Sequence, residues 1–126
     1  MNDRDADNLA TLRRAIPESD VQATIRDYLV MRGAVVVRLN SGVMPTPDGE
    51  RRFVANTWYA PGHRRETRGT ADIIAMWNGE CFAIEVKREG GRQSPDQRAF
   101  QAAWEDAGGW YIIASSLDDV IREVGG

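Results

Sequence analysis

The chain holds one cysteine, Cys81, one histidine, His63, and one lysine, Lys87, among 126 residues. A single thiol excludes an internal disulfide and any zinc centre built on several thiolates. A single imidazole excludes a site built on several histidines, and any serine or cysteine triad would have to draw on His63. Long apolar runs are missing as well. The stretches Ala34-Val35-Val36-Val37 and Ile73-Ile74-Ala75-Met76-Trp77 fall far short of the roughly 20 residues of a membrane-spanning helix. The polar start Met1-Asn2-Asp3-Arg4-Asp5 lacks the apolar segment of a signal peptide. The expectation is a soluble, unsecreted, cytoplasmic protein without membrane contact.

What is plentiful is carboxylate, with 19 acidic residues, so catalysis, if present, is expected to use carboxylates and a hard cation. With 42% hydrophobic residues in a chain of this length, one domain with a modest core is expected. The net charge of −3 is unevenly spread: residues 1–25 sum to −2, residues 26–98 to +3 and residues 99–126 to −4. Of sixteen cationic residues fifteen are arginine, the side chain suited to bidentate phosphate contact.

Residues 1–17 read as an N-terminal extension, helical or flexible, with Leu9, Leu12 and Ile16 at loosely helical spacing; residues 18–126 read as the domain. Val21, Ile25, Tyr28, Leu29 and Arg32 fit an amphipathic helix ended by Gly33 and capped by Ser19 or Asp20. A strand over residues 34–39 follows. Residues 40–70 are rich in glycine, proline and arginine, interrupted by a strand-like run at 52–59. Strands over 71–77 and 80–88 flank Asn78-Gly79, the strongest hairpin signal in the chain. A second helix over 94–107, a strand over 110–114 and a terminal helix over 117–124 complete the order, which predicts a mixed β-sheet flanked by helices. Cys81 is expected to be a small buried hydrophobe.

If Asn78 and Gly79 are the two central turn residues, paired positions sum to 157, so Ile74 faces Ala83 and Asp72 faces Glu85. The two carboxylates then share one face, with Lys87 pointing the same way. Like charges opposed in a sheet are destabilising. Lys87 can compensate in a simple salt bridge at a solvated strand end, whereas a divalent cation compensates better and brings chemistry.

Asp72 followed by Glu85-Val86-Lys87 matches the D…E-x-K pattern of the PD-(D/E)XK nuclease superfamily. Around it, Glu18-Ser19-Asp20-Val21-Gln22, Arg38-Leu39-Asn40-Ser41-Gly42, Gly69-Thr70-Ala71-Asp72-Ile73, Ser94-Pro95-Asp96-Gln97 and Gly108-Gly109 stand in the order seen in the VRR-NUC family. The chain resembles a small, stand-alone, phage-type VRR-NUC domain over about residues 18–120, with Ala71 where proline usually precedes the aspartate. The resemblance implies a restriction-endonuclease-like α/β fold with an αβββαβ core. It also implies a Mg²⁺- or Mn²⁺-dependent deoxyribonuclease of a bacterial or phage-infected cell, acting on branched DNA such as four-way junctions, as a homodimer. The implied catalytic residues are Glu18, Asp72, Glu85, Lys87 and Gln97. Asp72, Glu85 and the Val86 carbonyl would be metal ligands, with Glu18 acting through water.

Arg51, Arg52, Arg64, Arg65 and Arg68 precede Asp72, and Arg88, Arg92 and Arg98 follow Lys87. They flank the candidate site as a phosphate-binding set would, although loop arginines also serve solubility. Asn40 either contacts substrate or shapes its turn. Trp58, Tyr59 and Trp77 either stack on exposed bases or pack in the core. The competing functions are a nicking or restriction-type nuclease on linear duplex, and a non-catalytic DNA-binding module that keeps the fold.

Overall fold

The computed structural model describes residues 4–6, 8, 16–39, 42–54, 56–66 and 68–125. In chain order its elements are α1 (Glu18–Met31), β1 (Val35–Arg38), β2 (Gly42–Pro45), β3 (Arg51–Val54), β4 (Trp58–Ala60), β5 (His63–Glu66), β6 (Ile73–Trp77), β7 (Glu80–Val86), α2 (Pro95–Asp106), β8 (Trp110–Ala114) and α3 (Leu117–Val124). The main sheet runs β1-β6-β7-β8. Its first three strands pair antiparallel and β7 pairs with β8 in parallel. The parallel pair requires a crossover, which α2 provides. This is the expected mixed sheet flanked by helices.

Alternation along the strands sends two apolar sets to opposite faces. Ile73, Ala75, Phe82, Ile84, Val86, Ile112 and Ala114 pack under α1 and α3 against Ile25, Leu29 and Val120. On the other face Ala83, Ile74 and Tyr111 meet α2 through Phe100, Ala103 and Trp104, together with Trp58 of β4. Helix α1 presents Ile25 and Leu29, one turn apart, to the first cluster.

The β6–β7 register is the expected one from Trp77↔Glu80 to Ile73↔Ile84. Asn78 and Gly79 both have positive φ, 51° and 79°, the geometry of a two-residue turn whose twist matches the strands. Three expectations change. The run 52–59 is not one strand: β3 pairs with β2 and β4 with β5 in separate ribbons, because each closes on its own local turn. One turn is held by Thr46 N–H donating to Glu50 O at 2.7 Å; the other lies at Pro61-Gly62, with Gly62 at φ 83°. Neither Ser19 nor Asp20 caps α1. Pro17 occupies that position and its carbonyl accepts from Asp20 and Val21 N–H at 3.0 and 3.3 Å. Proline lacks an N–H to satisfy and has φ preset for the entry. Cys81 is half-buried rather than buried, with Sγ 3.8 Å from Met76 Sδ. Among the described residues no helix is long and apolar enough to cross a membrane.

Candidate metal and active site

The β6–β7 ladder ends just before the first carboxylate. Asp72 lies in a bend whose N–H donates to Ile84 O at 3.1 Å, while its carbonyl accepts from Leu39 N–H at 2.8 Å. Its main chain thus turns toward both neighbouring strands. Asp72 Oδ2 then accepts the Val86 N–H at 2.7 Å. The side chain takes over a bond that main chain would otherwise make, so Asp72 is tied across the hairpin beyond Glu85, not simply opposed to it.

Glu85 is 1% exposed, the one charged residue in the buried set among the described residues. Its position alternates with Ile84 and Val86, which face the first core, so its side chain lies on the α2 side with Ala83. There the Gln93 amide, the Tyr111 hydroxyl and the Lys87 ammonium favour its charged form, against burial and the Asp72 charge. Burial dominates and raises its carboxyl above the ordinary range. Both Glu85 Oε atoms and the Tyr111 hydroxyl are nevertheless buried without a hydrogen-bond partner. The Gln93 amide donates instead to Gln101 Oε1 at 3.0 Å. Burial and the Glu85 charge also push the Tyr111 hydroxyl well up.

Burial likewise raises the Asp72 carboxyl. The Val86 N–H, Lys87 and Arg38 work against that rise and Glu18 works with it. The electrostatics therefore bring together Glu18, Arg38, Asp72, Glu85 and Lys87, from α1, β1 and the hairpin. Glu18 Oε1 accepts the Arg88 N–H at 3.1 Å, which anchors the start of α1 to the residue after Lys87. One turn along α1, Gln22 Oε1 accepts from an Arg38 Nη at 3.0 Å, while the Arg38 Nε is buried without a partner.

Gln97 is placed differently from the other residues. It is the N3 residue of a capping box, with Oε1 accepting the Ser94 N–H at 2.8 Å and its own N–H donating to Ser94 Oγ at 3.1 Å. The glutamine beside Glu85 is Gln93. Gln93, Tyr111, Gln22 and Arg38 were not assigned roles from the sequence. Gln22 and Arg38 stand in the two segments that carry the family resemblance, Glu18-Ser19-Asp20-Val21-Gln22 and Arg38-Leu39-Asn40-Ser41-Gly42, whereas Gln93 and Tyr111 carried no signal. The loop leading to Asp72 is seated on α2: Gly69 has φ 90°, and a Cβ there would lie 2.3 Å from Asp96 O. Trp58 Nε1 donates to Arg68 O at 2.8 Å in the same loop.

Arg51, Arg64, Arg65, Arg68, Arg88, Arg92 and Arg98 are all exposed, and Arg98 also donates to Gln93 O at 3.0 Å. Asn40 and the Arg52 side chain lie outside the described residues. Trp58 is core, Trp77 donates to Arg32 O at 3.0 Å, and Tyr59 is exposed. His63 Nδ1 lies 3.4 Å from Glu66 Oε1.

Among the described residues no group of three or more histidine, cysteine or acidic side chains is arranged to hold a metal. The donor chemistry still fits a hard divalent cation. The charge of Asp72 acts on Glu85, which is buried with both oxygens unpartnered, and such a charge is costly until a cation meets it.

No family model matches the sequence, nor does any curated protein. The fold does have a counterpart. A solved VRR_NUC domain matches with a TM-score of 0.58, covering 86% of this chain and 94% of that chain at 16% identity. The chain therefore has the restriction-endonuclease-like α/β fold of a VRR_NUC domain.

Proposed function

We propose that this protein is a divalent-cation-dependent deoxyribonuclease that hydrolyses phosphodiester bonds in branched DNA. The observation that carries the reading is the buried, unpartnered Glu85 carboxylate meeting Asp72 and Lys87 at one end of the hairpin. Asp72, Glu85 and the Val86 carbonyl would hold Mg²⁺ or Mn²⁺, which when bound supplies Lewis acidity toward water and phosphate oxygen.

The protein's own groups do the rest. Lys87 orients the attacking water or offsets charge developing on the phosphate, a task its compact ammonium suits. Glu18, fixed by the Arg88 N–H, reaches the same centre through water. Gln97 keeps its Nε2 group to offer substrate while Oε1 accepts the Ser94 N–H at the start of α2. The exposed arginines before and after the site, with Asn40, bind the DNA backbone without reading sequence. A two-fold homodimer, inside a bacterial or phage-infected cell, would present two such centres to the symmetric strands of a junction.

The test is cleavage of four-way, flapped, nicked, linear duplex and RNA substrates in Mg²⁺, Mn²⁺ or EDTA. Metal-dependent cutting of branched DNA supports the reading, and preferential cutting of linear duplex replaces it with a nicking or restriction-type activity. The lack of a ready three-ligand cluster among the described residues favours a second reading, a non-catalytic DNA-binding module. That module would bind DNA equally with and without chelator and cut nothing in Mn²⁺.

A further inference from the structure

The β4–β5 ribbon has an inner and an outer face with different tasks. Trp58 turns inward, with its ring centroid 5.4 Å from that of Phe100 on α2 at an interplanar angle of 82°, and so clamps the ribbon to the domain. Tyr59, the next residue, points the opposite way and is 69% exposed. Pairing shifts register between Trp58↔Glu66 and Ala60↔His63, so Arg64 and Arg65 together oppose the one residue Tyr59. Such a β-bulge lets two successive side chains emerge on one side, and both arginines are indeed exposed. Neither guanidinium is held in an ion pair among the described residues.

We propose that this outer face binds an unpaired DNA strand, with Tyr59 stacking on a base while Arg64 and Arg65 hold the adjoining phosphates. An exposed ring between cationic side chains is the arrangement that tracks single strands, because every base offers a π-face and every linkage a charge. A duplex hides its base faces and would use the arginines alone. Only the residues between Glu66 and Asp72 separate the ribbon from the hairpin site, a span of at most about 20 Å. The proposal rests on DNA being the substrate. It adds that the unpaired strand of a branch is the recognised feature.

The test is a fluorescence-anisotropy titration of the protein in EDTA with labelled oligothymidine and with blunt duplex. Tyr59→Ala is expected to weaken oligothymidine binding about 10-fold and to leave the blunt duplex unchanged, while Tyr59→Phe keeps wild-type affinity. Arg64→Gln with Arg65→Gln is expected to reduce the salt slope for oligothymidine by about 1.4, at about 0.7 per phosphate released. Wild-type affinity in Tyr59→Ala, an equal loss in Tyr59→Phe, or an unchanged salt slope overturns the proposal. Binding is read without metal and separately from cleavage. Tyr59-dependent binding by a protein that cuts nothing in Mn²⁺ keeps this surface and removes the nuclease reading; cutting without Tyr59-dependent binding does the reverse.

Discussion

Asp72 Oδ2 accepts the backbone N–H of Val86 at 2.7 Å, so the carboxylate at the mouth of one strand is bonded to the main chain of the other. That bond fixes Asp72 against the Glu85-Val86-Lys87 segment and leaves its second oxygen for other partners. Beside it, Glu85 has both oxygens unpartnered and is nearly inaccessible. The pair is held by the fold at an electrostatic cost, which several consequences follow from.

The first is a pH dependence of stability in chelator. Burial raises the carboxyls of Asp72 and Glu85 above their ordinary values, so the folded chain binds protons more tightly than the unfolded chain. Their contribution to stability is then greatest below the ordinary carboxylate range. It falls as pH rises through the raised folded values. Glu85→Gln should raise Tm at neutral pH in EDTA and flatten this dependence, each kcal/mol gained corresponding to about 4 °C. Thermal unfolding across mildly acidic to neutral pH measures it; a variant less stable than wild type at neutral pH contradicts it.

Lys87 lowers the carboxyls of both acids. On the proposed mechanism Lys87→Ala should abolish DNA cleavage, by at least about 100-fold as for loss of a general acid–base or charge-stabilising group, while Mn²⁺ still binds. Single-turnover cleavage alongside Mn²⁺ titration separates the two effects, and near-normal turnover in Lys87→Ala would remove the residue from the mechanism.

Tyr111 and Gln93 face Glu85 from β8 and from the segment before α2. Removing a partner that orients a metal-binding carboxylate typically weakens metal affinity about 10-fold or more. Tyr111→Phe should do so with little change of Tm in EDTA: the hydroxyl beside Glu85 has no hydrogen-bond partner there and becomes a donor to that carboxylate only once a cation fixes its charge. Calorimetric titration with Mn²⁺ checks it; unchanged affinity would mean that Glu85 is oriented by packing alone.

Gly69→Ala tests the seat of the Asp72 loop. The added Cβ would meet the Asp96 carbonyl at 2.3 Å, and the position has φ 90°. A clash with backbone at a left-handed position should cost about 2 kcal/mol or more, read as a fall in Tm, with cleavage reduced further because the loop carries Asp72. Wild-type Tm in this variant would show that the close approach is relaxed in solution.

Much of the hairpin that positions these acids was legible in the sequence. Asn78-Gly79 admits few turn geometries, and that turn fixes which residues pair, so the register from Trp77↔Glu80 to Ile73↔Ile84 followed from two residues. The same alternation separates Glu85 from the first core. What escaped depended on contacts between distant segments. The bend at Asp72 arises because its side chain captures the Val86 N–H, and no periodicity records that. Tyr111 is 26 residues from Glu85 in sequence and meets it only because β8 docks in parallel beside β7. Gln97 sits in a recognisable cap signal, Ser94-Pro95-Asp96-Gln97, and the structure uses it as that cap. The split of the 52–59 run into two ribbons reflects local turn closure, which strand propensity does not weigh.

The measurement that bears most directly on the two carboxylates is Mn²⁺ titration of the wild-type protein followed by thermal unfolding, beside Glu85→Gln under the same conditions. A divalent ion held by Asp72 and Glu85 should raise the wild-type Tm as Mn²⁺ saturates and leave the Glu85→Gln Tm unmoved. Equal responses of the two proteins, or none in either, would mean that the buried acids do not hold a cation.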